Sequence, residues 1–186
     1  MVGPLVKEGL DRGERAIHFI AVRRREQHLA RLAEAGIDVQ DAMRAGQLEV
    51  EPFWDESATQ GRGFDPDSFL GSFEQAIGSG SSAGYERTNL LGEKGSADQN
   101  VQDHEAWFEF ESRVNSVIAN YNVDVICAFD LANPSNPRFV IDALRTHPIV
   151  ILGEQLHENP FYLPPDRFLH DLRERRARRE TVGATT

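Results

Sequence analysis

Cysteine is almost absent: Cys127 is the only one in 186 residues. A single thiol excludes an internal disulfide and fits a reducing compartment. Long apolar runs are missing too. None approaches the roughly 20 residues that cross a bilayer, and the N-terminus lacks the charged-then-apolar pattern of a secretory leader. The expected location is the cytoplasm, without membrane attachment. Positive charge is in deficit, with 20 Lys and Arg against 30 Asp and Glu, for a net charge of -10. Nucleic-acid binding needs a dense Lys/Arg face to displace counterions from phosphates, so direct nucleic-acid contact is not expected. The exception is local. Arg173, Arg175, Arg176, Arg178 and Arg179 cluster near the end and read as a solvated, flexible basic tail over 173–186, behind a domain spanning 1–172.

Nucleotide-binding motifs are missing as well. No G-x-x-x-x-G-K-[ST] and no G-x-G-x-x-G occurs, so no backbone cradle or lysine is placed to hold phosphates. Gly78-Ser79-Gly80-Ser81-Ser82 is glycine-rich but has no such lysine, and reads as a flexible connector inside the domain. No nucleophile elbow appears. Cys127 sits among Val125, Ile126, Ala128 and Phe129, where a buried inert thiol is the default. No cofactor and no catalytic residue is expected.

What is present is an alternation of strand-like and helix-like segments. Ala16–Ala21 reads as a short buried strand, and 22–35 as a helix stopped by Gly36. Asp38 caps a short helix through Met43. Leu48–Phe53 alternates like a strand, and Asp65-Pro66 opens a helix to about Ile77. A strand is expected within 85–91, then a polar loop over 92–102. A long helix follows from Asp103, with Trp107, Phe110, Val114, Val117 and Tyr121 as its core stripe. Val123–Phe129 is the strongest strand, with Asp130 at its end. A short helix through Leu144, an apolar strand over 148–152 and a final helix from Pro164-Pro165-Asp166 complete the pattern. Strands alternating with helices imply parallel β-α units. Ligands in such sheets sit beyond the carboxyl ends of the strands, which points to Asp130 and the segment after Leu152.

The densest polar constellation runs from His147 to Tyr162. His147, His157 and Glu158 carry groups that suit zinc or iron, but their spacing matches no standard metal motif, and no metal is expected. His157, Glu158, Asn159 and Tyr162 can instead anchor a ligand among aromatics, or shape a rigid loop with Pro160, Pro164 and Pro165. His18, on the first strand, reads as a core histidine.

Several ordered segments resemble the MEDS family of sensory domains. They are Glu8–Arg15, Leu32–Val39, Ala45–Leu48, Phe110–Asn115, Ile126–Asp130, Leu144–Pro148 and His157–Tyr162, spanning about residues 5 to 172. The resemblance implies a RecA-like three-layer α/β sandwich with a mostly parallel sheet, related to KaiC-type ATPases but without their phosphate loop. It further implies a signal-input role, with small hydrocarbon derivatives as signals and a histidine kinase or helix-turn-helix protein as output. Arg87 and Glu93 correspond to family positions. The candidate ligand site is therefore Arg87, Glu93, Glu111, Asp130, His147, His157, Glu158, Asn159 and Tyr162.

Two departures from the family pattern stand out. Family members usually begin with a strand before the helix that ends in G-L-x-R-G-E, whereas this chain starts inside that helix. The sheet is thus expected to be N-terminally truncated, with its open edge covered by a second subunit or a rearranged segment. The loop from Gly92 carries Glu93-Lys94-Gly95-Ser96 where the family has an aromatic segment. The leading expectation is a non-catalytic sensory domain that binds a small organic ligand, forms a homo-oligomer and signals to a separate protein. The alternatives are a protein-interaction module of a kinase or sigma-factor pathway, and a diverged ATPase.

Overall fold

The computed structural model describes residues 2–52, 64–94, 101–129, 137–153 and 155–183. The chain opens with α1 (Gly3–Asp11), β1 (Arg15–Ile20), a 3-10 turn at Val22–Arg24, α2 (Arg25–Glu34), α3 (Val39–Arg44) and β2 (Leu48–Pro52). It continues with α4 (Pro66–Ser82), β3 (Thr88–Lys94), α5 (Val101–Ile118), β4 (Val123–Phe129) and α6 (Pro137–Thr146). The hairpin strands β5 (Ile149–Leu152) and β6 (Gln155–Glu158) lead to α7 (Pro165–Gly183). Strands β1 to β4 form one all-parallel sheet in the order β2-β1-β3-β4.

Period-two alternation sends each strand's side chains to two separate cores. On one face Phe19, Leu90, Val125 and Phe129 pack with Phe73, Ile77, Trp107, Phe108, Phe139 and Phe168 from α4 to α7. On the other, Ala16, Ile20, Leu48, Leu91 and Ile126 pack with Val6, Leu29 and Leu32 from α1 and α2. Because β1 is covered on both faces it reads as a nearly unbroken apolar run, as interior parallel strands do. Asp38 caps α3 as expected, its Oδ1 accepting the Asp41 N–H at 3.0 Å. No described helix is long and apolar enough to cross a membrane.

Four expectations are corrected. The glycine-serine stretch 78–82 is not a connector but the last turns of α4. Arg15, buried in β1, donates to Ser79 Oγ at 2.9 Å, and a Cβ on Gly80 would lie 2.1 Å from Thr88 Oγ1. The small residues let α4 close onto the start of β3. Tyr121 leaves the core stripe: α5 ends at Ile118, the Asn120 and Tyr121 N–H groups tighten the exit, and Tyr121 is exposed. The basic tail is helical to Gly183, because Arg175 and Arg176 have acidic partners on α5 and α6. Finally, the strand after Pro148 does not join the parallel sheet. Gly153, at φ 67°, permits a reversal after β5, and β5 pairs antiparallel with β6. Among the described residues no strand pairs with the outer edge of β4, where the sheet ends.

Candidate functional site

The same alternation that puts Val125 and Phe129 into the first core puts Cys127 between them on that face. Facing it is α5, where Trp107, Phe110 and Val114 recur at three- and four-residue spacing. Glu111 lies inside this stripe, four residues after Trp107 and three before Val114, so its carboxylate is carried into the interior, 4% exposed. A cavity of about 260 Å³ opens between α4, α5 and the carboxyl halves of the strands. Phe19, Phe69, Phe73, Trp107, Phe110 and Phe129 supply aromatic walls, and Glu111 and Cys127 supply polar atoms. Its place near the strand ends is where parallel sheets bind ligands.

His147 reaches this region from the junction of α6 and β5. Its Nδ1 lies 2.7 Å from the Ala143 carbonyl oxygen, its Nε2 lies 3.5 Å from Glu111 Oε2, and its ring packs edge-on against Phe129. Cys127 Sγ donates to the same Oε2 at 3.3 Å. Burial pulls the His147 imidazole down, but the hydrogen bond and charge of Glu111, with the Ala143 carbonyl, outweigh it and leave the group raised above its ordinary value. The Cys127 thiol is pushed well up by burial first, and then by the charge of Glu111 and the hydrogen bond to it. A thiol so held stays protonated and is a poor nucleophile. One donor atom from each of Glu111, Cys127 and His147 lies within 4.8 Å of the others.

Of the residues anticipated from sequence, Glu111 and His147 come together. Asn159 stands behind His147 as a buried clamp, its Nδ2 donating to the carbonyls of Leu144 at 2.5 Å and His147 at 2.7 Å, its Oδ1 accepting the Phe161 N–H. Tyr162 is half-buried, and burial raises its phenol. His157 and Glu158 are exposed on β6. Glu93 lies on the opposite face of the sheet, paired with Arg24, near His28. Arg87 precedes β3 and pairs with Asp124 at the amino end of the sheet, away from the cavity. Asp130 lies outside the described residues. Sequence reasoning missed Cys127 and the aromatic walls. The available signal was Glu111 itself, a carboxylate at a core position of an apolar stripe.

Fold and site together define an α/β domain with a four-stranded parallel sheet flanked by helices, carrying an aromatic-walled cavity near the strand ends. The chain belongs to the MEDS family, the methanogen/methylotroph, DcmR sensory domain, whose sequence model matches residues 1–148. It is therefore a sensory domain. No curated protein matches it.

Proposed function

We propose that this sensory domain is a non-catalytic receptor for a small, mostly apolar organic molecule, and that its output is a separate protein. The observation that carries this reading is the aromatic cavity with polar atoms from Glu111 and Cys127. Its volume is below the roughly 300–1,000 Å³ of sites for drug-sized ligands, which favours a molecule of few heavy atoms. Occupancy is passed on through His147, which touches Glu111 and leads directly into the β5–β6 hairpin. A thermal-shift and calorimetry screen of small alcohols, thiols and halogenated hydrocarbons tests it. A ligand at 100 times its Kd should stabilise the fold by about 2.7 kcal/mol. Ser72→Phe, which fills the cavity mouth from α4, should abolish that shift while leaving the fold intact. A screen that leaves the protein unshifted throughout, or hits that ignore Ser72→Phe, would sink the reading.

A second reading, interaction with a protein and no small ligand, is favoured by the hairpin. Ile149, Leu152, Leu156 and Phe161 are all more than half exposed there, and such clustering marks interaction surfaces. It predicts a flat ligand screen and a partner lost on Leu152→Lys with Leu156→Lys.

A further inference from the structure

We propose that Glu111, Cys127 and His147 form a binding site for a zinc-type divalent metal ion, with a coordination position open to the cavity. The three donors come from three elements, α5, β4 and the α6–β5 junction, and converge within 4.8 Å. Two ligands about 2.0–2.3 Å from a tetrahedral ion lie about 3.3–3.6 Å apart. Glu111 Oε2 already stands 3.3 Å from Cys127 Sγ and 3.5 Å from His147 Nε2. Only the sulfur-to-nitrogen edge has to close.

Hydrogen-bond geometry points the same way. The Ala143 carbonyl can only accept, so its 2.7 Å contact requires the proton of His147 on Nδ1. That leaves Nε2 as the ring nitrogen facing Glu111 Oε2, the atom through which the imidazole takes an ion once its proton has left. A backbone carbonyl on the distal nitrogen is also the usual orienting partner of a metal-bound histidine. Thiolate, imidazole and carboxylate together suit zinc or cobalt(II) rather than magnesium or calcium, which prefer all-oxygen shells. As the ion binds, the Cys127 thiol gives its proton to solvent and the sulfur takes the metal. Three protein ligands leave a fourth position, and Glu111 and Cys127 both border the cavity. Resting on the receptor reading in this one respect, the site selects small apolar molecules with a single coordinating head, a thiol or an alcohol.

The test is a cobalt(II) titration of the whole, untagged chain after chelator treatment, followed by zinc competition and elemental analysis after gel filtration. One equivalent of cobalt should produce tetrahedral d–d bands and a thiolate-to-cobalt charge-transfer band, both erased by zinc. Because Cys127 is the only cysteine, the charge-transfer band identifies the site. Cys127→Ser should remove that band, and Glu111→Gln should weaken binding by at least about tenfold, with circular dichroism confirming both variants folded. Should a variant fail to fold, the wild-type spectrum and its zinc competition decide alone. No charge-transfer band in the folded wild type, or one surviving in folded Cys127→Ser, overturns the proposal. The organic screen repeated on metal-free protein separates this failure from failure of the receptor reading.

Discussion

His18 on β1 and His28 on α2 share a 2.8 Å hydrogen bond between Nδ1 and Nε2 on the face away from the cavity. Burial, then the neighbouring His28, holds His18 down to about 3, while burial also lowers His28, with Glu93 pulling it up and Arg31 down. Both rings are neutral in the fold and take up protons more readily once unfolded. Their contribution is therefore fully present above about pH 6.5 and is lost as the pH falls toward 3. Each extra proton bound by the unfolded chain costs up to about 1.4 kcal/mol per pH unit. Urea melts between pH 7 and 5 should show that decline. His18→Gln, which keeps a hydrogen-bonding partner for His28, should flatten it. Gly80 carries a second prediction at this scale. Its Cβ in Gly80→Ala would press on buried Thr88, so the substitution should destabilise by about 1–3 kcal/mol despite the better helix propensity of alanine. A neutral or stabilising result in thermal melts would show that α4 does not close on β3 as described.

At the scale of the element, α7 is held by charge as well as by Phe168 and Leu172. Arg175 Nη1 donates to both carboxylate oxygens of Asp142 on α6, at 3.1 and 2.8 Å, with Asp142 buried and Arg175 partly so. Removing one partner strands the other, so Asp142→Ala should cost about 3–5 kcal/mol. Asp142→Leu combined with Arg175→Met should cost much less, which a double-mutant comparison of urea midpoints reads directly. The hairpin depends on a single amide in the same way. Asn159→Ala should cost about 1–3 kcal/mol and speed amide exchange in β5 and β6 before the parallel sheet. The elements were legible in sequence where local pattern and tertiary role agreed: the alternation of β4, the Asp38 cap, the apolar stripe of α5. Reading failed where packing overrode composition. Gly78–Ser82 looks like a linker until Thr88 and Arg15 are set against it, and the arginines of α7 look solvated until Asp142, Glu105 and Glu109 are placed. The site was half legible for the same reason. Glu111 and His147 carry visible chemistry, but Cys127 gains its meaning only from neighbours far away in sequence, and Arg87 was drawn to the wrong end of the sheet because residue type does not encode strand direction.

For the whole molecule, β4, a largely apolar strand, occupies an edge of the parallel sheet. Every residue of β4 is at least partly exposed, and among the described residues nothing pairs with its outer side. An open apolar edge is a template for association, and the detached hairpin adds a second surface, with Leu152 64% and Leu156 68% exposed. An isolated two-stranded ribbon is marginal in water without something to pack against. Opposing this is the net charge of -10, which keeps copies apart at low ionic strength. Apolar burial does not weaken with salt, whereas the repulsion is screened over about 10 Å at 0.1 M. We therefore expect the isolated chain to self-associate, and to do so more strongly as salt is added, an ordering opposite to that of an ion-paired interface. Light scattering across protein concentration at low and moderate salt measures this. Leu152→Lys with Leu156→Lys should shift the distribution toward monomer if the hairpin is the contact, while changing stability by no more than about 0.5 kcal/mol per exposed site. If those substitutions leave association unchanged, the edge of β4 is the contact. A chain that stays monomeric at high concentration and moderate salt would refute both, and would mean that the partly exposed β4 and the hairpin are tolerated as free surface.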